Sequence, residues 1–369
     1  TAANAGYTWW SHDIGGHMRG YRSDELTQRW VQQGVFSPIM RLHSSNNEFL
    51  GKEPWNYNMA AEKNMTEFLQ LRHKLLPYLY TMNYLTHREG LPLVMPMYYT
   101  HDVPEAYEVP NQFWFGTQMI ACPITKPVDS ESQMAPFQAW LPEGEYIDFF
   151  TGQLYRGGRK LTLMRTMENM PVLVKAGGIL PLAEDFTTSH LHNSEKLQVQ
   201  VFNGAEGSFD LYEDCGGEPV ITRFRFVPGK TAAVTAEVLG DAADVIPETR
   251  VCHLVLRGMH APKSVLVNGE AARWTYDAEA KEIHVTVAAG QQGFRVQIQL
   301  EDETIADRDR TAEIYRILHR AQVEFELKSE IFAAVSTDQS VQRKLGQLQE
   351  MEIPDSLRKA VLEQLLASC

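Results

Sequence analysis

The sequence predicts a multidomain protein: the C-terminal part of a (β/α)8 TIM barrel, then two antiparallel β-sandwich domains and a small α-helical tail. Three observations predict it. Residues 1–90 alternate short apolar runs with stretches of helical period, the repeat of a parallel α/β barrel. From residue 91 the apolar period drops to two and Pro and Gly turns become frequent, as in antiparallel sheets. From residue 302 the chain is charged, poor in glycine and helical in period again. The expected units are 1–90, 91–190, 191–301 and 302–369.

In order, Tyr7 to His12 forms a first strand, stopped by a polar turn and by Gly15-Gly16. Ser23 caps a helix with Asp24 and Glu25 in its first turn; Leu26, Trp30 and Val31 mark its apolar face and Gly34 closes it. Val35 to Leu42 is a second strand, followed by a polar loop to Asn58. Residues 59–89 are helical, with Met65, Phe68, Leu69, Leu75, Leu76, Leu79 and Tyr80 on one face, and Pro77 kinks or divides them. Two strand–helix units are a fraction of a barrel, which takes about 250 residues. With Thr1 already at the edge of a strand, most of the barrel is expected upstream.

The proximal β unit reads as strands at 94–99, 112–115, 118–124, 137–141, 145–149, 161–165 and 172–176. A linker near 184–195 leads to the distal unit, with strands at 197–203, 208–212, 221–227, 231–238, 251–258, 263–267, 283–287 and 294–300. Glu213–Gly217 and Asn268-Gly269 read as hairpin turns. In the tail, Ile314, Ile317, Leu318, Ala321, Phe325 and Phe332 share a helical face, a second run spans 340–350, and a third starts at Pro354-Asp355-Ser356. The tail is either a cap on the rest of the chain or a dimerisation surface.

Composition narrows the function classes. Of 369 residues, 44% are hydrophobic and 22% charged, as in ordinary globular proteins. The net charge of −13 argues against nucleic acid or an anionic membrane as partner. No apolar run approaches a membrane span. Four cysteines lack ligand-like spacing and read as thiols of a reducing compartment, so a cytoplasmic location is expected. No signal peptide is visible.

A carboxylate just past a parallel strand, before a glycine turn and a helix, is where α/β barrels place their chemistry. Asp13 stands there, beside Trp9, Trp10 and His12; alternatively Asp13 caps the turn and both tryptophans are core. His190 and His192, in the linker, and the acidic hairpin Tyr212–Gly216 are weaker candidates, and Asn46, Asn47 and Glu48 read as plain loop.

Residues WWSHDIGGHMRGY (9–21), DELTQRWVQQGVFSPIMRLHSS (24–45), KEPWNY (52–57) and LRHKLLPYLYTMNY (71–84) together resemble glycoside hydrolase family 31, the α-glucosidase and α-xylosidase family. PNQFWFGTQMIACPIT (110–125), WLPEGEYIDFFTG (140–152) and PVLVKAGGILPL (171–182) extend the resemblance to about residue 215. It implies retaining hydrolysis by two aspartates, without a cofactor or metal. The nucleophile would lie in a W-x-D-M-N-E motif after the fourth barrel strand and the acid/base in a G-D motif after the sixth; both are expected upstream of Thr1.

What the resemblance leaves to this chain is the substrate-holding half of the site. Asp13 would bind hydroxyls of the non-reducing sugar and His43 would donate to the hydroxyl next to the anomeric carbon. Arg41 would orient His43 or pair with a catalytic carboxylate, and Trp10 would stand in the wall. His17 replaces an aromatic on the leaving-group side. The expected partner is an oligosaccharide with a terminal α-linked glucose, and the isolated chain is expected to be inactive. α-Xylosidase or transglucosidase activity, and a non-catalytic carbohydrate-binding or assembly module, are the alternatives. A homo-oligomer could form through the tail or the barrel edge.

Overall fold

A computed structural model describes residues 2–16, 20–185 and 193–369. The first part holds helices α1 (Asp24–Val35), α2 (Met59–Lys74) and α3 (Leu76–Glu89). Ser23 caps α1 by accepting from the Leu26 amide. Leu75 ends α2 and begins α3, Pro77 sits in the first turn of α3, and left-handed Gly90 closes it. Pro77 therefore divides the helices, as it suits a position whose amide has no partner.

The two expected barrel strands are corrected. Tyr7–His12 and Val35–Leu42 meet in a single isolated parallel bridge, Ser11 with Ile39, and a second, Ile14 with Leu42, lies just past the first segment. Among the described residues neither segment has a second strand beside it, and a lone parallel pair gains little from its ladder. Helix α1 also runs through Gly34 to Val35. A Cβ at Gly34 would press on Ile14 Cδ1, so Ile14 would have to shift to admit it. The buried face of α1 is Thr27, Gln28, Arg29, Val31, Gln32, Gly34 and Val35, whereas Leu26 is exposed.

The proximal unit holds β1 (Val94–Pro96), the single helical turn α4 (Pro104–Tyr107), β2 (Phe113–Phe115), β3 (Met119–Ala121), β4 (Ala135–Leu141), β5 (Glu145–Asp148), β6 (Leu154–Arg156), β7 (Arg159–Arg165) and β8 (Val172–Lys175). Strands β1-β2-β3-β8-β5-β6 form an antiparallel sheet, and β4 pairs with β7 in a separate ribbon. Then come β9 (Ile179–Ala183), β10 (Lys196–Phe202), β11 (Gly207–Glu213), β12 (Val220–Val227), β13 (Thr231–Leu239), β14 (Val251–Arg257), β15 (Pro262–Val267), β16 (Glu270–Ala271), β17 (Trp274–Asp277), β18 (Glu282–Ala288) and β19 (Phe294–Leu300). These build a five-stranded sheet, β17-β18-β14-β10-β9, and a six-stranded one, β11-β12-β13-β19-β15-β16.

Two details depart from expectation. Strands β10 and β14 are parallel, so the distal unit is not wholly antiparallel. The chain between them crosses through the other sheet as β11, β12 and β13, the long connection that a parallel pair requires. Strand β9, ahead of residue 190, is hydrogen bonded to β10 and so completes a distal sheet. Asn268 and Gly269 both have positive φ, the backbone of a two-residue hairpin turn.

The tail forms four helices rather than three: α5 (Arg310–Arg320), α6 (Phe325–Val335), α7 (Val341–Glu350) and α8 (Asp355–Leu366). The first expected helix breaks after Arg320, and Phe325, expected on its apolar face, is exposed. Ile314, Ile317, Leu318, Leu357 and Val361 pack with Met134 of the β3–β4 loop and Met164 of β7. The tail thus covers the β4–β7 ribbon of its own chain. Elsewhere one continuous core runs from Ile14, Val31 and Phe36 through Phe115 and Leu173 to Phe202 and Leu254.

Candidate active site

The first element to place is the pair of parallel segments. The Ile39 amide donates to Trp10 O and the His43 amide to Ile14 O, both at 3.1 Å. Behind them, half-buried Arg72 of α2 donates to the carbonyls of Val35, Ser37 and Pro38 at 2.8, 2.6 and 2.6 Å. It thereby fixes the exit of α1, where helix carbonyls lack partners. Burial lowers the Arg72 pKa to about 10, so the group stays charged at neutral pH.

Asp13, Arg41 and His43 project from the ends of these segments. Arg41 Nη2 lies 2.8 Å from Asp13 Oδ1, and His43 Nε2 lies 3.9 Å from Asp13 Oδ2. All three reach solvent: the side chains of Asp13, Arg41 and His43 are 39%, 51% and 24% exposed. Asp13 is not consumed in capping a helix; it offers a carboxylate held by a cation beside an imidazole, open on one side. Such a cluster can accept hydrogen bonds from vicinal hydroxyls and donate others in return. Arg41, expected behind His43 or on a catalytic carboxylate, pairs with Asp13 itself.

Trp9 and Trp10 point to opposite sides, as neighbours on an extended segment must. Trp10 lines a cavity of about 600 Å³ with Trp30, Phe36, Tyr98 and Phe113. Trp9 faces a cavity of about 630 Å³ with Arg72, Leu76, Tyr80 and Tyr212. Neither cavity is lined by Asp13, and the Trp10 ring lies 5.6 Å from that of His12, the neighbour of Asp13. The Trp30 indole donates to His12 Nδ1 at 3.0 Å, which leaves the His12 proton on Nε2. Burial lowers the His12 pKa, and the nearby Asp13 charge opposes that shift without cancelling it.

The remaining sequence candidates divide. His17, His190 and His192 lie outside the described residues. Asn46, Asn47 and Glu48 are exposed loop. Asp214 accepts from Gly216 N and from Tyr80 OH, both at 2.9 Å, so the acidic hairpin latches onto α3. The Gly216 amide is the main reason its pKa falls. Among the described residues no group of three or more His, Cys, Asp or Glu side chains is placed to hold a metal ion. No described helix is long and apolar enough to cross a membrane.

Sequence reasoning missed Arg29, Gln32 and Arg72. The signal for the first two is a run of long polar residues on the helix face that must be buried: Gln28, Arg29 and Gln32 interrupt the apolar stripe of α1.

Residues 1–82 match the glycosyl hydrolases family 31 TIM-barrel domain and residues 90–180 the family 31 C-terminal domain. An alpha-xylosidase of Saccharolobus solfataricus is 30% identical over 218 residues, 58% of this chain and 29% of that protein. The lysosomal alpha-glucosidase of Rattus norvegicus is 28% identical over 304 residues, 76% of this chain and 32% of that protein. A family 31 dextranase of Flavobacterium johnsoniae, solved with isomaltotriose, superposes with a TM-score of 0.72 at 23% identity, covering 81% of this chain and 40% of its own. The chain therefore spans under a third of the length of these two curated relatives. It carries part of a barrel followed by β-sheet domains, and its two matched segments are the barrel and C-terminal domains of glycoside hydrolase family 31.

Proposed function

We propose that the chain supplies the sugar-holding half of the site of a retaining, α-glucosidase-like glycoside hydrolase that releases terminal α-linked glucose from oligosaccharides. The observation that carries this reading is the convergence of Asp13, Arg41 and His43 at the ends of two parallel segments, open to solvent. Asp13 accepts from two hydroxyls of the terminal sugar while Arg41 holds its other oxygen and keeps it oriented. His43 donates to the hydroxyl beside the anomeric carbon, an interaction that strengthens as positive charge develops on the ring. Trp10 supports the wall from behind, through His12.

Retaining hydrolysis needs a nucleophile and an acid/base about 5–5.5 Å apart. On this reading neither is among residues 1–369, so the chain by itself holds sugar without cleaving it. The purified chain should leave an aryl α-glucoside intact, bind glucose in calorimetry, and lose that binding on Asp13→Asn. Turnover by the chain alone would overturn the division of labour.

An α-xylosidase preference is the second reading, favoured by the 30% identity to the Saccharolobus solfataricus enzyme. Glucose and xylose differ by one hydroxymethyl group, so parallel titrations with the two sugars separate the readings.

A further inference from the structure

The strap that leads from the last residue of β7 toward β8, residues 165–169, is gripped from two sides. On the barrel side every one of its carbonyls accepts a hydrogen bond from α1 or α2. Arg29 donates to the carbonyls of Asn169, Thr166 and Arg165 at 2.7, 2.9 and 3.5 Å. Gln32 donates to Met167 O at 2.7 Å and Asn64 to Glu168 O at 2.9 Å. On the tail side, Glu363 of α8 accepts from Arg165 Nη1 at 2.8 Å, from the Met164 amide at 2.7 Å and from Tyr155 OH at 2.6 Å. Arg320 of α5 holds Glu168 through both carboxylate oxygens.

Arg29 sits on the same helix as Gly34, roughly 7.5 Å along its axis by the rise per residue. Gly34 is the floor on which fully buried Ile14 rests, and Ile14 O receives the His43 amide. A rigid helix thus joins the strap to the residue next to Asp13.

We propose that the tail positions the sugar-holding segments through strap 165–169, with Glu363 and Arg29 as positioning residues for Asp13, Arg41 and His43. The inference rests on the proposed function only for the meaning of those three residues; the mechanical link itself does not depend on it. The tail is then a brace for the barrel rather than an appendage, although it lies beyond the residues matched by either family domain.

The test is amide hydrogen exchange on the full chain, comparing wild type with Arg29→Met and Glu363→Gln. The reporters are the Ile39 and His43 amides, which make the two bonds between the segments; Val199 and Val255 in the distal sheet are references. Both variants should speed exchange at the reporters by about tenfold or more and leave the references unchanged. Arg29→Met should do so with α8 still protected, since its substitution leaves the Arg165–Glu363 pair in place. Reporters unchanged in Arg29→Met, loosening confined to the tail in Glu363→Gln, or equal acceleration at the references would each overturn the proposal. Glucose calorimetry runs alongside. Absence of binding by the wild type counts against the proposed function, while the exchange data still decide the link.

Discussion

Two arginine–carboxylate clusters in this chain have similar chemistry and opposite surroundings. Arg41 and Asp13 meet at 2.8 Å with side chains 51% and 39% exposed. Arg165 meets Glu363 at 2.8 Å and Asp148 at 2.9 Å with all three side chains at or below 5%. Water screens the first pair, so its contribution to stability is small. In the second, none of the three charges can return to water without breaking the fold, and losing one leaves the others buried with fewer partners. A cluster that must receive a ligand stays open and contributes little to folding; a cluster that must hold two units together is sealed.

The largest expected effect is on the sealed side. Glu363→Ala should cost about 3–5 kcal/mol, because Arg165 would remain charged and buried; a fall in the urea midpoint measures it. Replacing Arg165 and Glu363 together by apolar residues should cost less than the sum of the single changes. An additive result would remove the distinction between the two clusters. Next comes Gly34→Val, expected to cost about 1–3 kcal/mol by forcing Ile14 aside. It should also weaken glucose binding, because Ile14 adjoins Asp13. Ser23→Ala follows at about 1 kcal/mol from the lost cap of α1, read as a shift in thermal midpoint.

On the open side the expectation reverses. Arg41→Ala should change stability by no more than about 1 kcal/mol, while glucose affinity falls sharply. A stability loss comparable to that of Glu363→Ala would erase the contrast.

The smallest effect is a pH dependence. The folded chain holds His12 below its ordinary pKa of 6.5, chiefly by burial. As pH falls through 6.5 the unfolded chain takes up a proton that the folded chain resists, so stability drops; above that pH the contribution is constant. Wild type should therefore lose more stability between pH 7.5 and 5.5 than His12→Asn does, as denaturant titrations at the two pH values would show.

Much of this was legible in the sequence where local chemistry decides. Ser23 and Pro77 marked helix ends, because capping and ring geometry act within a few residues. The period-two runs found most strands, whereas β9 escaped because all five of its residues are buried and show no alternation, and the short β6, β16 and β17 because a few residues cannot establish a period. The segments 7–12 and 35–42 were read as strands from apolar, β-branched content, yet a strand is completed by its neighbours, and a single sequence does not list them. The tail face failed at Phe325 because the helical period alone carries no sign of the break after Arg320. Asp13, Arg41 and His43 came from motif context. Arg29, Arg72 and Glu363 could not, since their partners are backbone carbonyls or residues far along the chain.

Strand β9 has a practical consequence for anyone dividing this protein. A fragment stopping at residue 190 would end with Ile179–Ala183, five buried residues, stripped of their partner β10. An unpaired apolar edge of that kind invites intermolecular pairing and precipitation. A cut just ahead of Ile179 keeps β9 with its own sheet, and soluble expression of the distal unit should depend on those few residues more than on anything downstream.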